Sequence, residues 1–283
     1  MMGDPWRLGA AALCCAGVMT TGAGCAPRPR LPEGENVREL STRASLHGTG
    51  LTLHLADSSN GARPLVVYGS GDGGWFGAAV GMFEMIAEAG YPTAGFSTRA
   101  LLKIEQAGHA PLTGEHITES YQVILTTARQ ALGLPADAPA ILTGWSRGAS
   151  LAVLAASDPG IDRAVTGIVA IGLPREDRLD VRPGDDGDPA ASPATIATDG
   201  RSQAHELLMY PLVTRIAARR SAIVQASGDR YLPAAQARTL FGTDSDVKRF
   251  FEVPADNHRF SGGKAALRQA LLEALAWAGT APS

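Results

Sequence analysis

The chain has only three cysteines, Cys14, Cys15 and Cys25, and all stand within the first 25 residues. The rest of the sequence therefore has neither a disulfide pair nor the thiolates of a metal site, and its stability has to come from packing. An excess of positive charge is also missing. The formal net charge is -3, and the one basic cluster on a candidate helix is Arg215, Arg219 and Arg220, which argues against nucleic acid as a partner. There is no internal repeat. With 283 residues, 45% hydrophobic and 19% charged, the composition fits one domain around a sizeable core and excludes a disordered or fibrous chain.

The first residues read as a targeting segment. Arg7 supplies a positive start, Leu8 to Met19 is apolar but too short to span a bilayer stably, and Gly22-Ala23-Gly24 precedes Cys25. Residues 1–25 are thus expected to be a signal peptide and the product to be periplasmic or in the cell envelope. Ala23-Gly24-Cys25 looks like the end of a bacterial lipobox, with Gly22 in place of the customary Leu. Two outcomes stay open: a lipid anchor at Cys25 with peripheral membrane association, or a plain secreted product. Pro27 to Pro32 then reads as a tether, because alternating prolines favour extended backbone. Residues 26–44 form this tether and an N-terminal extension, and 45–283 form the folded domain.

Within that domain the pattern alternates. Strands are predicted at Leu51–Leu55, Pro64–Tyr68, Thr93–Ser97, Ala140–Thr143, Val165–Ile171, Ala222–Ala226 and Phe250–Val253. Helices are predicted from about Phe76 to Ala89, over Ile117–Leu132, around Leu151–Ala156, and near the C-terminus, where Leu267, Leu271, Ala274 and Leu275 share a face. Largely apolar strands between amphipathic helices imply an α/β architecture: a mostly parallel central sheet covered by helices on both faces. Residues 174–220, after Val165–Ile171, which is the sixth strand if Pro64–Tyr68 is counted as the third, break the rhythm and read as an irregular insertion or lid.

Strand Ile141-Leu142-Thr143 runs into Gly144-Trp145-Ser146-Arg147-Gly148 and then into a helix. That is the setting of a G-x-S-x-G nucleophile elbow, and it predicts the α/β-hydrolase fold with Ser146 as nucleophile. A serine hydroxyl needs an imidazole to take its proton, and His258 is the one histidine that follows the last strand. The third member should follow the strand before it, which selects Asp229, with Asp256 as a lesser alternative. The other five histidines, His47, His54, His109, His116 and His205, read as surface or satisfied structural residues. Oxyanion donors are expected from the amide of Arg147 and from that of Asp72 or Gly71, on the loop Gly69-Ser70-Gly71-Asp72-Gly73-Gly74-Trp75. Trp75 and Trp145 are candidates for the pocket wall. The same loop matches G-x-G-x-x-G, but the next strand ends in Phe96-Ser97-Thr98-Arg99 without the carboxylate a ribose would need, which weakens a dinucleotide reading. The chemistry so outlined needs no metal and no cofactor.

Ser70-Gly71-Asp72-Gly73-Gly74-Trp75, Gly144-Trp145-Ser146-Arg147-Gly148-Ala149 and Pro254-Ala255-Asp256-Asn257-His258-Arg259-Phe260 together resemble the bacterial virulence protein family typified by VirJ and AcvB. The likeness runs from about Pro64 to the C-terminus. It departs at Ser97–Leu102, which lacks the family's aromatics, and in Trp145 and Arg147, where the family usually has Tyr and Phe. The resemblance implies an exported α/β hydrolase with the triad Ser146, Asp229 and His258, acting on an ester of a membrane phospholipid, aminoacylated phosphatidylglycerol. Such a headgroup is cationic, so Glu176, Asp177, Asp180, Asp185, Asp186 and Asp188 are candidates to meet its ammonium, or else form a solvated acidic loop. The alternatives are a general esterase, lipase or dienelactone-type hydrolase, and a non-catalytic binding module on the same fold.

Overall fold

A computed structural model describes residues 37–58, 63–109, 111–180, 206–216 and 219–280. The signal segment, Cys25, the proline tether, Asp185, Asp186, Asp188 and His205 lie outside the described residues.

The chain enters on an antiparallel hairpin, β1 (Val37–Leu46) and β2 (Thr49–Ser58), closed by the two-residue turn His47-Gly48. Six strands follow in parallel: β3 (Leu65–Gly69), β4 (Thr93–Phe96), β5 (Ala140–Trp145), β6 (Val165–Ile171), β9 (Arg220–Ala226) and β10 (Lys248–Val253). With the hairpin they make one eight-stranded sheet of order β1-β2-β4-β3-β5-β6-β9-β10 among the described residues. The short pair β7 (Glu176–Asp177) and β8 (Leu207–Leu208) belongs to the insertion.

Successive side chains of a strand face opposite ways, and here both faces are covered. Val66 and Tyr68 join a core with α1 (Ala78–Glu88) and α7 (Lys264–Ala278), including Phe83, Ile86, Leu271 and Leu275. Leu65 and Val67 join the opposite core, with α2 (Thr98–Gly108), α3 (Gly114–Ala131), α4 (Arg147–Ser157), α5 (Met209–Arg215) and α6 (Ala234–Phe241). The stripe predicted on α3, Ile117, Tyr121, Ile124, Leu125 and Ala128, is fully buried there.

Besides β7, β8 and α5 of the insertion, three elements go beyond the predicted set. β1 begins inside the stretch 26–44 read as tether and extension and ends at Leu46, so the sheet starts at Val37. It is an edge strand: Ala44 and Leu46 are buried while Ser41, Arg43 and Ser45 are exposed, and such polar edges blunt unwanted strand pairing. α2 is capped at its start by Ser97, whose hydroxyl accepts from the amide of Ala100 at 3.3 Å. α6 buries Ala234, Ala237 and Phe241 at helical spacing.

His54, on β2, has its ring stacked on Trp75 at 4.3 Å and 1°. Burial pulls its pKa down from 6.5 to about 4. Between those values the unfolded chain binds a proton that the folded chain refuses, so this contribution to stability is complete above pH 6.5 and is lost by about pH 4. His54→Gln is expected to flatten the fall of Tm with pH across that interval, and a curve of unchanged slope would contradict the assignment.

Candidate active site

β5 stops where its backbone has to turn sharply into α4. Ser146 sits in the turn with φ 56° and ψ -119°, a strained region for a non-glycine residue. Its amide donates to the Ile171 carbonyl at 2.8 Å, and its carbonyl accepts from Ser150 at 3.1 Å, which holds the strained geometry from both sides. The flanking glycines are required by contact. A Cβ on Gly144 would lie 2.3 Å from the carbonyl carbon of Gly148, and one on Gly148 would lie 2.1 Å from the carbonyl oxygen of Gly69. Strand, serine and helix can therefore be this close only with hydrogen at both positions.

Gly69 and Gly144 are register partners on adjacent strands. They mark the place where the strand order reverses, between β3 and β5, which is where a crevice opens at the carboxyl ends of such a sheet. A cavity of about 680 Å³ occupies it, with Gly71, Asp72, Trp145, Ser146, Tyr231 and His258 in its wall.

His258 stands on the loop between β10 and α7. Its main-chain carbonyl accepts from Trp145 Nε1 at 3.1 Å, its ring lies 5.6 Å from that of Trp145, and Gly172 lies under its Cε1. Trp145 precedes Ser146, and Gly172 follows the residue that holds the Ser146 amide, so the imidazole is anchored to the serine's own surroundings. Its Nδ1 is 2.6 Å from Oδ2 of Asp229. With that nitrogen donating, the neutral ring keeps Nε2 as its acceptor.

Asp229 follows β9 and its side chain is fully buried. Oδ2 also accepts from Gln225 Nε2 at 3.0 Å and Oδ1 from the Tyr231 amide at 2.9 Å, while Gln225 is held in turn by the Leu232 carbonyl at 2.7 Å. A buried carboxylate is tolerated only with such partners. Asp256 is exposed, and its carboxylate lies beside Gly262. Gln225 and Tyr231 go unnoticed in the sequence, although a lone amide in the apolar run Ala222–Ala226 signals a buried group in need of partners.

The loop after β3 approaches from the opposite side. A Cβ built on Gly71 would be 3.6 Å from Cβ of Ser146. Asp72 accepts from Nε of Arg147 at 3.0 Å, and the same Nε reaches Asp177 at 3.2 Å while a terminal nitrogen reaches the Asp180 carbonyl at 3.3 Å. Burial works against the charge of Arg147, but the carboxylates of Asp72, Asp177 and Asp180 outweigh it and hold its pKa above the usual value. Its side chain thus clamps the glycine loop to the insertion, a role the elbow motif does not reveal.

Two expectations need correction. Trp75 does not line the cavity. It is buried, stacked on His54 and set edge-on to Phe83 at 5.2 Å. Nor are the described acidic residues of the insertion all free: Asp177 is engaged by Arg147, although it lines the cavity wall together with Glu176.

No family model matches this chain, and no curated protein matches it in sequence. Its shape is matched by solved structures. Dienelactone hydrolase from Anabaena variabilis aligns with TM-score 0.55 and 16% identity, over 85% of this chain and 96% of that one. The esterase domain of a Rhodothermus marinus protein aligns with TM-score 0.53 and 16% identity, over 86% and 97%. The chain has the α/β-hydrolase fold. Acylaminoacyl peptidase from Pyrococcus horikoshii aligns with TM-score 0.58 and 11% identity, over 89% of this chain and 43% of that larger one. At such identities the α/β-hydrolase likeness concerns the fold, and the chemistry has to be argued from the site.

Proposed function

We propose that this chain is a serine hydrolase that cleaves carboxylic esters through an acyl-enzyme. The observation that carries the reading is the pairing of His258 with the buried Asp229 at 2.6 Å, His258 sharing one cavity with a serine on a strained elbow. Ser146 Oγ attacks the ester carbonyl and its proton passes to Nε2 of His258, while Asp229 orients the ring and stabilises the imidazolium. The amides of Arg147 and of Asp72, or of Gly71 beside it, donate to the tetrahedral oxyanion. Collapse breaks the ester C–O bond, and the leaving alcohol takes the proton from His258. Water, deprotonated by the same imidazole, then releases the acid and restores Ser146. Imidazole and backbone amides supply both the proton transfer and the charge stabilisation, so the sequence of steps calls on no cofactor.

The finer reading is aminoacylated phosphatidylglycerol, a membrane phospholipid, and it rests on the resemblance to the VirJ and AcvB family. Two features of the rim support it. Phe76 and Tyr231, exposed at 47% and 65%, are large apolar side chains at the cavity, suited to a lipid ester. Glu176 stands on the same wall and is the carboxylate we assign to the substrate ammonium. If residues 1–25 act as the signal peptide their pattern suggests, such an enzyme would reach the envelope, and globomycin-sensitive processing with palmitate labelling at Cys25 tests the anchor.

The substrate test is purified protein on vesicles of lysyl-, alanyl- and unmodified phosphatidylglycerol, beside short-chain nitrophenyl esters. Release of the amino acid from the first two, with the unmodified lipid intact, is the expected result. Turnover of nitrophenyl esters alone would remove the lipid assignment and leave the esterase. A well-folded protein inert on all of them would favour a binding module.

A further inference from the structure

At the hairpin edge of the sheet, away from the cavity, three side chains converge. His47 occupies the β1–β2 turn, Glu105 lies on the last turns of α2, and His109 caps that helix. His47 Nε2 is 3.1 Å from Oε2 of Glu105 and 3.2 Å from Nε2 of His109, and His109 Nε2 is 3.7 Å from the same Oε2. None of the three lines the cavity that holds Ser146.

A hydrogen-bond network accounts poorly for this arrangement. Neutral His47 has one proton to offer at Nε2. If it goes to Glu105, the nitrogen has no lone pair left for His109, whose own Nε2 then presents either a second N–H or a lone pair facing the carboxylate. A cation at the centre satisfies all three atoms together. Ligands at about 2.0–2.2 Å around a tetrahedral Zn²⁺ lie about 3.3 Å apart, close to the separations found.

The surroundings support the same conclusion. The Glu105 side chain is 1% exposed, and its other oxygen, Oε1, accepts from the Ser120 hydroxyl of α3 at 2.6 Å, which leaves Oε2 aimed at the histidines. His116 stacks on the outer face of His109 at 3.6 Å and is itself fixed by the Thr113 amide at 3.2 Å. Such outer contacts orient ligands in metal sites. The carboxyl end of α2 adds a partial negative charge that favours a cation.

We propose that His47, Glu105 and His109 form a site for a divalent first-row transition ion, with zinc as the best fit and a fourth position open to water. Two imidazoles and one carboxylate suit zinc, cobalt and nickel and do not suit calcium or magnesium. Binding there ties the β1–β2 hairpin to α2 and α3, so the ion acts as a staple on the edge of the sheet.

The test uses the untagged full chain, metal-stripped, titrated with Zn²⁺ and with Co²⁺. One zinc per chain is expected, with Tm rising by about 5 °C at roughly a hundredfold excess over Kd. Co²⁺ should give tetrahedral d–d absorption that Zn²⁺ displaces. His47→Ala and His109→Ala are each expected to weaken zinc binding by at least about a hundredfold and to abolish the Co²⁺ spectrum, with unchanged circular dichroism. His54→Gln should bind as the native chain does. The proposal is overturned if the native chain shows no stoichiometric zinc binding, or if the double variant His47→Ala/His109→Ala binds as tightly as the native chain.

Discussion

Replacing Ser146 with alanine is expected to lower kcat/KM for ester hydrolysis by about a thousandfold or more, while Tm stays within about 2 °C of the native value. The argument is geometric. The strain at this position belongs to the backbone, which is held by Ile171 and Ser150 whichever side chain is present, so removing Oγ takes away the nucleophile and little of the packing. What survives is catalysis from the amides of Arg147 and Asp72 acting on a bound ester attacked directly by water. A variant with a collapsed Tm would instead make Ser146 a structural residue, and one with native turnover would remove it from the reaction.

The second large effect is expected at Asp229. Asp229→Asn is nearly isosteric and should fold, yet it should lose about a hundred- to ten-thousandfold in kcat with a much smaller change in KM. Oδ2 takes the proton of His258 Nδ1 and an amide proton of Gln225, and Oδ1 takes the amide proton of Tyr231. An asparagine can present its oxygen to only one of these sides. If its NH2 faces His258, Nδ1 must turn acceptor, Nε2 becomes protonated, and the ring can no longer receive the Ser146 proton. Turning the amide over restores that acceptor but sets an N–H against the Tyr231 amide. Gln225→Leu should reproduce part of the kcat loss without touching substrate, because it frees the carboxylate to rotate. Equal losses in KM and kcat would contradict this division.

How much of this could be read from residue order alone depends on the range of the forces involved. The elbow is legible because its constraint is local: Gly144 and Gly148 cannot carry a Cβ within a few ångströms of each other and of Gly69, so the spacing itself records the geometry. Asp229 and His258 are legible because each follows one of the last two parallel strands, whose carboxyl ends face the crevice. The central strands β5, β6 and β9 stand out for the same reason, being apolar on both faces. β1 does not, since an edge strand is polar on its open side and resembles a linker.

Contacts between distant segments leave no such trace. Arg147 reads as one amide of an elbow, and only the folded chain brings its guanidinium to Asp72 and Asp177. Trp75 reads as a pocket aromatic by virtue of its glycine loop, but the loop turns it inward onto His54 and Phe83. His47 and His109 stand 62 positions apart in the chain, and nothing in either neighbourhood announces the other.

The most direct measurement is covalent capture. A fluorophosphonate incubated with the native chain, followed by peptide mass spectrometry, should place one adduct on Ser146; the adduct should vanish in Ser146→Ala and fall steeply in His258→Ala. A well-folded native chain that takes up no label, or that carries it on another residue, would contradict the assignment of an activated serine at the end of β5.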